Sequence, residues 1–337
     1  MASNNIFIYT EKVKELLSMT NIVKADDVFC YEDTPLEDEC EYAFQFYQAN
    51  FNNHTLYNIP KCIMYFDNKR TQNAYACYDY NANIGIIGIN VGLIQSIKSI
   101  FENLNKIIIN DENLNEYDAF RKTLDIPIEY LMFQTALHYT FYHELGHIIQ
   151  KSEFLKTKLY ENNINEKEFC LRKHILEIDA DDFSALYIGR HCLQYFDKMF
   201  KSKFDKDNLE KLVIVMNSAI FIYFLSFKSN KENIYFKKFT HPHPIIRVVS
   251  ILSIITNYIN GYLKDENQGF QLDNKLLVNK IFTFIEITSK EIFPNYENTD
   301  FINTLFDNNE KIMNYISEIR NITNADQNLA VYKLNHA

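Results

Sequence analysis

The sequence predicts a mainly helical protein with one small antiparallel β-sheet, an α+β chain. Three observations carry this. The 337 residues contain only 7 Gly and 6 Pro, too few for the turn every ten residues or so that an all-β chain needs. Strand-like runs are confined to residues 61–91, where polar turns separate them. Elsewhere, apolar residues recur at helical spacing, and a hydrophobic content of 47% is ample for a buried core in one large domain or two ordinary ones.

In chain order, residues 1–60 read as an acidic, helical extension. A helix is expected over 9–19, followed by a solvated acidic stretch through Asp26, Asp27, Glu32, Asp33, Glu37, Asp38, Glu39 and Glu41. Residues 61–258 read as the principal domain. Its strands are expected at 61–67, 73–80 and 84–91, with Gly85 and Gly88 marking a bend, a bulge or a close backbone approach. Leu93, Ile94, Ile97, Ile100 and Phe101 then predict an amphipathic helix over 91–104, and the Asn-rich 105–124 reads as an insertion. A long helix follows, with Asp125 as N-cap and Pro127 in its first turn, running to about Lys151. Apolar residues on most of its sides mark it as a core helix. A second long helix is expected over 167–190, and residues 259–337 read as short amphipathic helices packed on the core.

Composition excludes some roles. A net charge of −10 without a basic stripe argues against nucleic-acid binding. Cys30, Cys40, Cys62, Cys77, Cys170 and Cys192 form no C-x-x-C pair, and residues 1–10 lack the pattern of a secretory signal. Reduced thiols in a cytoplasmic protein are therefore expected. The apolar run 212–227 is sixteen residues long and broken by Asn217, Ser218 and Ser226. It falls short of the ~18 residues of a spanning helix, so a buried core helix and no stable membrane insertion are expected.

The residues carrying chemistry begin at His143-Glu144-Leu145-Gly146-His147, an H-E-x-x-H pattern. Four residues apart on a helix, both imidazoles reach one metal ion, and Glu144 stands beside its bound water as a general base. On the second helix, Glu177 and Asp181 share a face; Glu177 fits a third ligand, and Asp181 a partner for the free ring nitrogen of a ligand histidine. His174, one turn earlier, is the rival ligand. Ala180 and Ser184 form a small-residue strip that could seat against Gly146. Farther on, His241 sits on an elbow stiffened by Pro242 and Pro244 before a resumed helical pattern.

With those residues in hand, the chain resembles the gluzincin metallopeptidases of the CAAX-prenyl-protease and heat-shock membrane protease type. Four islands match in order: Asn73-Ala74-Tyr75-Ala76 with Gly92-Leu93-Ile94, the H-E-L-G-H of 143–147, Glu177 to Asp181 as E-x-x-A-D, and His241-Pro242 with Arg247 as H-P-x-x-x-x-R. The resemblance covers roughly residues 60–255. It implies a zincin-like core, one Zn2+ per chain held by His143, His147 and Glu177, Glu144 as base, and Asp181 behind the ligands. It also implies His241 and Arg247 beside the substrate, and a substrate strand along Asn73, Ala74, Tyr75 and Ala76. Arg247 could instead anchor the elbow through a carboxylate such as Asp181. Family members are commonly membrane-embedded and this chain lacks convincing spans, so their lipidated substrates do not carry over. A weaker analogy, on motif and solubility, is to the Lit-type phage-exclusion peptidase.

The expected function is a soluble zinc endopeptidase acting on a protein or peptide substrate, which an edge strand binds by β-augmentation. Two alternatives stand beside it. One is a non-catalytic, metal-stabilised scaffold for a protein partner. The other is a latent protease awaiting a regulatory trigger, its cleft covered by a loop such as 105–124.

Overall fold

A computed structural model describes residues 2–51, 57, 59, 61–156, 159–160, 168–200, 205–227, 234–266, 268–293, 298–323 and 326–336. The expected class holds in its coarse form: the protein is mainly helical with one small sheet. The helices are α1 (Ala2–Met19), α2 (Glu37–Phe51), α3 (Val91–Phe101), α4 (Leu104–Asn110), α5 (Asn115–Arg121), α6 (Ile128–Gln150), α7 (Leu171–Phe200), α8 (Lys206–Leu225), α9 (Pro244–Asp265), α10 (Asn274–Ile292), α11 (Asn298–Thr323) and α12 (Ala330–Asn335). The strands are β1 (Cys62–Asp67), β2 (Ala74–Asp79), β3 (Ile84–Asn90) and the two-residue β4 (Leu159–Tyr160).

The sheet is mixed, which corrects the antiparallel expectation. Its order is β1-β3-β2-β4, with β1 parallel to β3 and β2 antiparallel to both β3 and β4. Composition explains why β3 takes the centre. I-G-I-I-G-I-N is buried along its whole length, as suits a strand covered on both faces rather than one alternating between core and water. Its two glycines are close approaches. A Cβ on Gly85 would stand 2.7 Å from Ile148 of α6, and one on Gly88 would stand 2.3 Å from the ring of Tyr75, its register partner on β2. Helix α6 thus lies directly on the sheet.

Against α6 packs α7. The two come close at Gly146, where a Cβ would lie 3.1 Å from Ala180 Cα; the Ser184 hydroxyl donates to the Tyr139 carbonyl at 2.9 Å. The small-residue strip therefore seats the two helices as expected. Asp125 does not cap α6. Pro127 is the N-cap residue, and the Asp125 carboxylate accepts instead from Tyr195 and Lys198 of α7, at 2.8 and 2.6 Å.

Other elements are longer or more ordered than expected. Residues 105–124 are largely helical, with Ile108, Leu114, Tyr117 and Phe120 buried and Tyr117 edge-on to Phe284 of α10. The acidic stretch includes the first turn of α2, where Glu37, Asp38 and Glu39 lie at the positive end of the helix dipole. The run 212–227 belongs to the 20-residue α8, and α8 and α9 are both long and apolar enough to cross a membrane by length and composition. For α8, 89% of the apolar stretch is buried inside the protein, with Tyr223 and Phe224 against Tyr139 of α6.

Candidate metal centre

Helix α6 supplies His143, Glu144 and His147, and α7 supplies Glu177; all four are buried, Glu144 completely. The two imidazoles point at one another, Nε2 to Nε2 at 3.1 Å. Glu177 closes the triangle, with its oxygens 3.5 Å from His143 Nε2 and 3.4 Å from His147 Nε2. The donor atoms of His143, His147 and Glu177 all lie within 4.8 Å of one another. Tetrahedral zinc with bonds of 2.0–2.2 Å separates neighbouring donors by roughly 3.3–3.6 Å. The two His–Glu separations fit that edge and the His–His separation, at 3.1 Å, falls slightly short of it, so the residues suit a metal ion of about this size.

Hydrogen bonds fix which nitrogen faces the centre. His143 Nδ1 lies 2.9 Å from Asp181 Oδ1, an acceptor, so Nδ1 carries a proton and Nε2 is the nitrogen turned to the centre. His147 Nδ1 lies 3.0 Å from Gln150 Oε1. The Gln150 amide nitrogen donates to the Leu176 carbonyl and to Asp179 Oδ2, both at 2.8 Å. Those two acceptors set the amide's orientation, and the tautomer of His147 follows from it. Two imidazole Nε2 atoms and a carboxylate thus converge in a buried space, where a metal ion would satisfy all three.

The electrostatics agree. Burial by itself would depress the pKa of His143, but Asp181 and Glu177 carry it up to about 10, so the metal-free ring is an imidazolium and a metal ion would take the place of its Nε2 proton. Glu177 is held well below the usual carboxylate range: burial opposes this, and the imidazoles of His241 and His147 outweigh it. Buried Arg247 balances the carboxylates it meets, Asp181 at 2.8 Å and Glu177 at 3.5 Å.

Asp181 gathers the second layer. Arg247 of α9 donates to it twice, Nε to Oδ2 and Nη2 to Oδ1, both at 2.8 Å, and Tyr139 donates at 2.5 Å. Arg247 also lies over the Phe224 ring, 4.9 Å from its centroid. Of the two roles open for Arg247, anchoring through Asp181 is the one its hydrogen bonds make. Its Nη2 stands 3.5 Å from Glu177 Oε2.

His241 approaches from the Glu177 side, Nε2 to Oε1 at 3.4 Å, with Nδ1 3.0 Å from the Thr240 hydroxyl. His174 turns away, its ring nitrogens engaged at 2.8 Å by the Phe239 carbonyl and at 2.7 Å by the Tyr315 hydroxyl. His243, two residues on from His241, points elsewhere. It is the N-cap of α9, where its Nδ1 accepts from the Ile245 amide at 3.2 Å.

Ala74, Tyr75 and Ala76 open β2 and Asn73 directly precedes it, all buried, on the sheet that carries α6. At Tyr75 and Ala76 the strand is not a free edge, because β4 pairs with both. Sequence reasoning missed Tyr139, Gln150 and Tyr47. Tyr139 is four residues before His143 and Gln150 three after His147, so helical spacing alone puts each beside a ligand. Tyr47, fully buried on α2, stacks on Phe141 at 4.6 Å. Its hydroxyl is held un-ionised by burial and then by the charge of Glu144; no pattern in α2 pointed to it.

No protein-family model, curated protein or solved structure matches this chain.

Proposed function

We propose that the protein is a zinc-dependent endopeptidase with a gluzincin-type, zincin-like centre. The observation carrying this is the donor triangle of His143, His147 and Glu177 with Glu144 between the two histidines on the same helix. A structural zinc site is closed by four protein ligands, whereas three ligands with an adjacent carboxylate suit metal-assisted hydrolysis. When bound, the ion supplies an acidified water and polarises the scissile carbonyl.

The chain's own residues do the rest. Glu144 takes a proton from the attacking water and passes it to the leaving nitrogen. Asp181 and Gln150 hold the two imidazoles in the tautomer that leaves Nε2 free. His241 donates to the carbonyl oxygen as negative charge develops there, and Arg247 keeps Asp181 ionised and in place. Burial of the whole group lowers the local dielectric, which strengthens each of these interactions.

A latent state is the second reading, and β4 favours it: the edge proposed for substrate is paired with the protein's own backbone. The deciding experiment compares wild type with Glu144→Gln, measuring zinc content together with newly formed termini across the proteome of expressing cells. Equal zinc with cleavage lost in the variant is expected. Absence of zinc from the wild type even after reconstitution, or cleavage retained by Glu144→Gln, overturns the proposal.

A further inference from the structure

Gln150 belongs to a longer connection that runs out of the centre to the C-terminal end of the chain. Asp179, 1% exposed, accepts the Gln150 amide on Oδ2, and the same carboxylate accepts the first two backbone amides of α12: Ala330 N at 2.7 Å and Val331 N at 3.1 Å. The N-cap residue of α12, Leu329, makes no side-chain cap. Asp179 therefore performs that task from another helix. At its other end, Lys333 Nζ donates to the carbonyl of Ile149, one residue before Gln150, at 2.7 Å. A six-residue helix has no stability of its own. Its position and that of the Gln150–Asp179 pair are consequently set together, through buried Leu329 and Ala330.

We infer that Gln150 is a positioning residue for His147, and that the C-terminal helix α12 forms part of the metal centre by holding Gln150 through Asp179 and Ile149. The chemistry is directional. Asp179 has two oxygens and three donors; with the two α12 amides in place, the Gln150 amide nitrogen completes the set, which turns Oε1 toward His147 Nδ1. Loss of the α12 donors frees Asp179 to reorient and leaves the Leu176 carbonyl as the acceptor that still orients the Gln150 amide, which then rotates more readily. A rotated amide presents N–H to Nδ1, which favours the tautomer carrying its proton on Nε2, the nitrogen needed for the metal. The role assigned to residues 326–336 is thus control of metal affinity, with the donor atoms themselves unchanged.

This inference rests on the metal-centre reading and not on peptide hydrolysis, so its test uses the metal. Zinc affinity of the full-length protein is measured by competition with a chromophoric chelator, and the cobalt-substituted protein is followed by its visible absorption. Gln150→Leu is expected to weaken zinc binding by roughly 10- to 100-fold, the usual effect of losing a ligand's hydrogen-bond partner. Ala330→Pro removes one donor to Asp179 at a position where a helix tolerates proline, and is expected to weaken zinc in the same direction. Lys333→Met, a change at the rim of the fold, provides a readout should Ala330→Pro fail to fold. Nitrogen shifts of His147 in the wild type should report a protonated Nδ1, and in Gln150→Leu a mixture of tautomers. A wild type that binds no zinc defeats the metal centre itself. A wild type that binds zinc, with Ala330→Pro and Lys333→Met equal to it in affinity and cobalt spectrum, overturns the role of α12; an unchanged Gln150→Leu overturns the role of Gln150.

Discussion

Replacing Asp181 by Ala should cost the protein far more than a tuning residue would, because Asp181 is both the partner of a ligand histidine and the counter-ion of a buried cation. Arg247 is 3% exposed and donates to Asp181 through two nitrogens at 2.8 Å. Deleting the carboxylate leaves that guanidinium buried without its bidentate partner, a change that costs about 3–5 kcal/mol. That is a large fraction of the roughly 5–15 kcal/mol by which folded proteins exceed their unfolded states. Denaturant unfolding with a chelator present keeps metal linkage out of the measurement. Asp181→Ala should lose ~3–5 kcal/mol, and the double variant Asp181→Ala/Arg247→Met should recover most of it, since no uncompensated charge remains. Zinc affinity should fall in both, on the order of 10- to 100-fold, because His143 loses the acceptor on Nδ1 in each. A single variant destabilised by less than about 1 kcal/mol, or a double variant no more stable than the single, would refute the assignment of Asp181 as the counter-ion of a buried Arg247.

Three further outcomes are expected. Glu177→Ala should abolish tight zinc binding while His174→Ala keeps it, as chelator competition would report; the opposite pattern would make His174 the third ligand. Acid should destabilise the fold partly through His191, whose pKa burial pushes down to about 4, with the neighbouring charge of Arg190 adding to it. The folded state binds that proton less well than the unfolded chain, where the usual value is about 6.5. Stability is therefore lost as pH falls from about 6.5 through about 4, and His191→Asn should flatten the slope of unfolding midpoint against pH in that window. His241→Ala should keep its zinc and lose roughly 10²- to 10³-fold in kcat, the effect of deleting one donor to a developing oxyanion; loss of metal instead would make His241 a ligand.

The centre was legible in sequence to the extent that helical spacing expresses it. His143, Glu144 and His147 follow from a four-residue period, and Glu177 with Asp181 from the same period on a helix whose apolar neighbours announce burial. The seating of Gly146 on Ala180 was legible for a similar reason, since two small residues on facing helices have few other uses. Partners across elements were not. Helical spacing places Gln150 beside His147, but nothing local couples Gln150 to Asp179, or Asp179 to a helix that starts at Ala330. The sheet was misread because parallel pairing of β1 with β3 depends on where the connection 68–73 carries the chain, which strand composition does not encode. The cap of α6 was misread because Asp125 has a second use: Tyr195 and Lys198 of α7 compete for its carboxylate and win.

What remains is how a substrate reaches a centre whose donors are all buried, and here magnitudes separate two obstacles. Tyr47 sits in the core, fully buried and stacked on Phe141, so withdrawing it exposes a large aromatic and costs several kcal/mol. Among the described residues, β4 spans two residues and pairs with Tyr75 and Ala76. A net contribution of about 1 kcal/mol per backbone hydrogen bond makes its release worth roughly 1–2 kcal/mol. A released fraction of a few to about fifteen per cent follows, and a substrate strand that adds to β2 would see its apparent affinity reduced about 5- to 30-fold. On the endopeptidase reading, then, β4 is a moderate brake and the packing of α2 is not part of the gate. Leu159→Pro removes one ladder N–H from β4 without touching the centre. It should raise deuterium uptake in peptides spanning 73–79, lower KM for an extended peptide substrate several-fold, and leave kcat and zinc content unchanged. Faster exchange with an unaltered KM would show that substrate does not use this edge, and a lowered kcat would show that β4 helps to build the site instead of covering it.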